Sequence, residues 1–155
     1  MQTLTPPQAV ILCGGLGTRL GPLTANCPKP LLPVGGVPFL EILIIELVRQ
    51  GVRRVVLLAG FEADQVEVFA NNLPRRLPHP VDIIVTREAH LAGTSGAMWQ
   101  AREHLEERFL LLNGDSWFDI LIADVATAQL SRPGAIGALA LRPVDDGSRY
   151  GRVRL

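Results

Sequence analysis

Lysine is almost missing from this sequence. Of its fifteen positively charged side chains only Lys29 is a lysine, and the rest are arginine. Cysteine is nearly as scarce: Cys13 and Cys27 are too few and too differently placed for a disulfide framework or a zinc site. Cys13 ends an apolar run and reads as a small core residue. There is no net charge, with 15 basic and 15 acidic side chains, so no global field recruits nucleic acid or a membrane surface. Any phosphate bound here must be held by local groups. Aromatics make up 5% of the chain, and none is interleaved with the pairs Arg53-Arg54 and Arg75-Arg76, which read as solvated positions at element ends. No apolar run approaches the roughly 20 residues of a spanning helix, and "MQTLTPPQ" lacks the charged region of a signal peptide. The expected compartment is the cytoplasm. His79, His90 and His104 are scattered and form no metal-ligand pattern.

What is present is apolar residues, at 48%, with 15 glycines and 12 prolines in 155 residues. That suits one compact layered domain with tight connections. "AVILC" over 9–13 predicts a strand buried on both faces, stopped by "GGLG". Residues 14–37 carry too many glycines and prolines for a long helix and predict an extended functional loop. "PFLEILIIELVRQG" reads as a largely buried helix, with Pro38 at its first position and Gly51 as its C-terminal cap. Strands follow over 54–60, 81–86 and 109–115, separated by helices over 62–73 and from Thr94 or Ser95 through "TSGAMWQAREHLEER". The latter turns Ala97, Met98, Ala101 and Leu105 to one face, and Met98 and Trp99 read as packing residues. A short helix over 122–130, a strand from Ala135 and an alternating start of another at "YGRVRL" complete the pattern. The fold expected is α/β: a doubly wound, mostly parallel sheet flanked by helices. Because a domain seldom finishes on a strand just begun, residues 1–155 are expected to be a single domain forming the N-terminal part of a longer one.

The glycine-rich loop fits neither of two common phosphate cradles. No glycine has the spacing of a Walker A lysine. The dinucleotide fingerprint G-x-G-x-x-G fits Gly15 and Gly17 and fails at Leu20. The remaining arrangement is a loop that wraps a nucleoside triphosphate and supplies charge from its own length. Gly14, Gly15 and Gly17 let backbone N–H groups approach phosphate oxygens, Arg19 can fork across a phosphate, and Lys29 is pinned between Pro28 and Pro30. A solvated loop lysine is the competing reading. The lack of lysine elsewhere favours phosphate, since a surface role would be met equally by arginine. Asp115, behind Asn113-Gly114, is either a carboxylate presented at a strand end or a turn-forming cap.

"AVILCGGLGTRLGPLTANCPKPLLPVGGVPFLE" closely resembles the opening of the sugar-1-phosphate nucleotidyltransferases, whose signature runs G-G-x-G-T-R-L, P-L-T, P-K-P and Gly-x-Pro. "REAHLAGTSGA", "LLLNGD" and "RYG" continue the match in order, with one departure, Ala92 where Leu is usual. The resemblance implies a Rossmann-like, glycosyltransferase-A-like fold. It implies that Leu12, Gly14, Gly15, Gly17 and Thr18 hold nucleoside and triphosphate, with Arg19 on the departing pyrophosphate and Lys29 on the reacting phosphates. Glu88, Gly93 and Thr94 would lie along base and ribose, and Asp115 would hold Mg²⁺. Asn113, Tyr150 and Gly151 would line the sugar pocket, and Trp117 is left open between core and sugar. The activity implied is transfer of a nucleotidyl group, GTP favoured, to a mannose- or heptose-type sugar 1-phosphate. Family members carry a second metal-binding Asp and a second lysine downstream of "YG". A homo-oligomer or a completing C-terminal segment is therefore an expected partner, and a non-catalytic nucleotide-binding module is the alternative reading.

Overall fold

The computed structural model describes residues 6–15, 17–77, 79–90, 93–146 and 153, and not the side chain of Arg19. Strand β1 (Gln8–Leu12) is the expected apolar strand, and its burial on both faces explains the lack of apolar-polar alternation. The loop behind it is more structured than expected. It forms 3-10 turns at Thr18–Thr24 and Lys29–Leu31, then a small hairpin, β2 (Pro33–Val34) and β3 (Val37–Pro38). Gly35 and Gly36 turn the hairpin at φ 60° and 85°, values that glycine adopts without a Cβ penalty.

Helix α1 (Phe39–Arg49) follows, with Pro38 as its cap rather than its first residue. It leads to β4 (Arg54–Ala59), α2 (Ala63–Asn72) and β5 (Asp82–Arg87). Helix α3 (Gly93–Gln100), β6 (Leu110–Asn113) and α4 (Ile122–Leu130) complete the order. The four longer strands form one parallel sheet in the order β5-β4-β1-β6. The chain thus builds outward from β1 to β5, then returns to place β6 on the other side of β1.

Alternation along the central strands divides the core. Ala9, Ile11, Val55, Leu57 and Ala59 pack with Leu40, Ile44 and Leu47 of α1 and Val66 and Phe69 of α2. Val10, Val56 and Leu58 pack on the opposite face with Ala97 and Ala101. Helices therefore cover both faces, as the doubly wound reading requires, and each fully buried Val, Leu or Ile contributes roughly 1.5–3 kcal/mol.

Three expectations need correction. Helix α3 ends at Gln100 instead of continuing to residue 108, although Ala97, Met98, Ala101 and Leu105 do share the expected packing cluster. Fully buried Gln8 supplies the reason: its side-chain amide donates to the His104 carbonyl at 2.8 Å and accepts from the Glu106 N–H at 2.9 Å, drawing that stretch off the helical path. Trp99 is 69% exposed with the Arg102 guanidinium 4.9 Å from its ring, so only Met98 packs inward. Residues 135–141 form no strand, and Ile136 and Leu139 stand exposed. Strand formation needs a neighbouring edge to complete the ladder, which apolar residues alone do not provide. The expected strand at "YGRVRL" begins outside the described residues.

Candidate active site

The point where the chain reverses direction across the sheet lies between β1 and β6, and ligands of open α/β sheets gather outside the carboxyl ends of strands at such a point. A cleft of about 820 Å³ opens there. Its β1 wall is Leu12, Gly14, Gly15, Gly17 and Thr18, its β6 wall Asn113 and Asp115, and its far side Glu88, Gly93 and Thr94. Lys29 lies between these walls. Eleven residues expected at the site thus meet in one cavity. Arg19 belongs to a 3-10 turn beside it, while Tyr150 and Gly151 lie outside the described residues.

Each contributor has a local cause. Gly17 turns at φ 62°, and a Cβ there would come within 3.0 Å of the Thr24 methyl and 3.3 Å of Lys29 Cβ. Thr24, almost fully buried, donates its hydroxyl to the Gly17 carbonyl at 2.9 Å and fastens the glycine loop. The Lys29 turn is closed by the Leu31 N–H on Pro28 O at 2.8 Å and by burial of Pro30. Gly114 is buried against the end of β1 and the Lys29 turn at once. A Cβ on it would meet Leu12 O at 2.8 Å, Pro30 Cγ at 3.0 Å and Cys13 Sγ at 3.2 Å. Thr24, Pro30 and Gly114 are supporting residues that residue chemistry did not single out; the signals available were the P-L-T, P-K-P and N-G-D strings.

Lys29 and Asp115, 86 residues apart, meet at the mouth of this cleft with Nζ donating to Oδ2 at 2.6 Å. Both side chains are about one-third exposed, at 36% and 35%. Partial burial pushes the Asp115 carboxyl up, but the Lys29 ammonium and the Ser116 hydroxyl outweigh it and hold the group below the ordinary carboxylate range. Asp115 is therefore an anion, available to a cation. Cys13 behaves oppositely: burial, reinforced by the charge of Asp115, pushes its thiol up to about 12, so it is packing and not a nucleophile. Trp117 is 45% exposed and is not a core residue.

A parallel α/β sheet flanked by helices, with a glycine loop at its switch point, defines a Rossmann-like class of fold. Residues 8–155 match the Nucleotidyl transferase family, and the chain belongs to it. It is 32% identical over 150 residues to the D-glycero-alpha-D-manno-heptose 1-phosphate guanylyltransferase of Campylobacter jejuni, covering 96% of this chain and 63% of that protein. It is 35% identical over 147 residues to the bifunctional protein GlmU of Methanococcus maripaludis, covering 95% and 32%. Among solved structures, HddC from Yersinia pseudotuberculosis complexed with GMP-PN superposes with a TM-score of 0.71 at 31% identity, covering 81% of this chain and 55% of that one. The chain thus spans less than two thirds of the length of each of these relatives.

Proposed function

We propose that this chain forms the nucleotide-binding part of a sugar-1-phosphate nucleotidyltransferase that joins GTP and a mannose- or heptose-type sugar 1-phosphate into a nucleotide-sugar, releasing pyrophosphate. The observation that carries this reading is the Lys29–Asp115 pair, held at 2.6 Å at the end of a glycine-lined cleft. Guanine is favoured because the relatives include a guanylyltransferase and a structure holding GMP-PN.

The sugar phosphate is already an anion, so no strong general base is needed. Its oxygen attacks the α-phosphorus in line with the departing pyrophosphate. The chain's own work is alignment and charge neutralisation. Backbone N–H groups of Gly14, Gly15 and Gly17 receive the triphosphate, and Lys29 turns from Asp115 to a phosphate oxygen as the nucleotide arrives. Arg19 meets the leaving pyrophosphate, Gly93 and Thr94 border the nucleoside, and Asn113 with Tyr150-Gly151 borders the sugar. Asp115 suits Mg²⁺, which takes one or two carboxylates and completes its shell with substrate phosphates and water. Bound there, Mg²⁺ would neutralise phosphate charge and orient the triphosphate. Among the described residues no three of His, Cys, Asp and Glu form a metal-holding group, and the second metal-binding Asp that the resemblance implies falls downstream of "YG".

The test is pyrophosphate release by the full-length protein that carries this chain, with Mg²⁺, the four nucleoside triphosphates and a panel of mannose, heptose and glucose 1-phosphates. Release with GTP and one sugar phosphate is expected. Silence across the panel with GTP still bound would leave the non-catalytic nucleotide-binding reading in its place.

A further inference from the structure

The far wall of the cleft is made by two different elements, Glu88 behind β5 and the Gly93-Thr94 turn that opens α3. Glu88 is fixed on one side, its N–H donating to Ala59 O at 2.8 Å just past the last β4-β5 pair, Ala59 with Arg87. Its carboxylate rests over the glycine loop, where a Cβ on Gly14 would collide with Oε1. The other half of the wall starts at Gly93, φ 69°, and glycine is the residue with the most backbone freedom to lose. Stiffness at this joint has to come from another group.

Gln100, the last residue of α3, supplies it. Its side-chain Oε1 accepts the Ala89 N–H at 2.8 Å, and its Nε2 donates to the His90 carbonyl at 3.3 Å. One planar amide thus answers the donor of one residue and the acceptor of the next, directly behind Glu88 and beyond the β4-β5 ladder. The base of that side chain does not move, because Ala97 and Ala101, on either side of it in sequence, are buried against Val10, Val56 and Leu58 of the sheet. At 1.5 Å per residue Gln100 stands about 10 Å along the helix from Gly93. The connection is therefore held at both ends, by the helix start at Gly93 and by the amide at Ala89 and His90. Gln100 is not among the residues that line the cleft, and it lies outside the strings that carry the family resemblance.

Both hydrogen bonds are exposed, so they add little to the stability of the whole domain, and their effect is on local order. We infer, on the nucleotidyl-transfer reading above, that Gln100 is a positioning residue: it sets Glu88 and the Gly93-Thr94 turn at a fixed separation before the nucleotide arrives. A nucleoside then enters a wall that it does not have to order, and affinity rises by the ordering that is avoided.

The test uses the full-length protein that carries this chain, with Mg²⁺, titrated calorimetrically by the four nucleoside triphosphates and by inorganic tripolyphosphate. Tripolyphosphate reaches the glycine loop and Lys29 but has no nucleoside to set against the far wall. Gln100→Met keeps the side-chain length and removes both donor and acceptor. It should weaken the tightest-binding nucleoside triphosphate by about 3- to 10-fold, the effect of one hydrogen bond, and leave tripolyphosphate within roughly 2-fold. In the ligand-free protein, hydrogen exchange at the Ala89 N–H should quicken in Gln100→Met and stay slow in Gln100→Glu, which keeps the acceptor. An equal loss for nucleoside triphosphate and tripolyphosphate, the mark of a general loosening, overturns the assignment. So does unchanged triphosphate affinity, or unchanged Ala89 exchange, in Gln100→Met. Each of these results leaves nucleotidyl transfer standing. Failure of the unaltered protein to bind any nucleoside triphosphate removes that reading, and the positioning role with it.

Discussion

Replacing Lys29 with methionine should move two ligands in opposite directions. Nζ stands 2.6 Å from Asp115 Oδ2, but both side chains are about one-third exposed, so water discounts the pair to roughly 0.2–1 kcal/mol. A divalent cation must give up that amount to reach Asp115, because the ammonium already sits there. Lys29→Met lifts the competition and should tighten Mn²⁺ binding in the absence of nucleotide by up to about 5-fold. The same variant loses a charge-assisted hydrogen bond to phosphate, worth about 1.5–3 kcal/mol, so GTP should bind about 10- to 150-fold more weakly. Thermal stability should fall by no more than about 1 kcal/mol, or 2–4 °C in midpoint. Mn²⁺ titration by electron paramagnetic resonance, GTP calorimetry and a melting curve read the three quantities separately. Weaker Mn²⁺ binding in Lys29→Met would refute the reasoning. So would unchanged GTP affinity, or a stability loss of several kcal/mol that made the residue chiefly structural.

Other expectations follow from packing. Gly114→Ala forces a Cβ to 2.8 Å from a backbone oxygen that cannot swing away, and overpacking of this kind costs about 1–3 kcal/mol; a denaturant melt within 0.3 kcal/mol of the parent would contradict it. Gln8→Leu removes the partner of the His104 carbonyl and of the Glu106 N–H, two part-buried bonds worth about 0.5–1.5 kcal/mol each, and hydrogen exchange should rise selectively across 101–109. With its thiol pushed up to about 12 and its side chain enclosed, Cys13 should not react with a disulfide reagent at pH 8 until the chain unfolds. Fast modification in the native state would show that the β1 end opens. Arg76→Ala leaves the nearly buried Glu41 without the guanidinium now 2.9 Å away, and because Arg76 is itself half exposed the loss should be about 1–2 kcal/mol, below the full buried-pair cost.

Much of this protein is legible in its order of residues because the relevant physics is local. A continuous apolar run can be satisfied only between two helical layers, so β1 and β4 follow from "AVILC" and "RVVLLA". Pro38 and Gly51 bound α1 through backbone geometry alone, and the solitary lysine between prolines marks Lys29 by residue type and setting. The Gly35-Gly36 hairpin was equally local, a two-glycine turn signal inside a stretch read only as loop.

What depends on distant partners was not legible. The extent of α3 is set by Gln8, and whether 135–141 pairs depends on an edge that composition cannot supply. Glu88 meets Gly14 only because β5, β4 and β1 lie in that order. Above all, the sequence by itself identified Lys29 and Asp115 as candidates, each with a plain solvent or turn role as its rival. Only the tertiary structure, by placing β6 against β1, closed 86 residues of chain into a 2.6 Å contact. Residue type and spacing determine which groups can carry charge to a phosphate, and strand order determines whether they arrive at the same one.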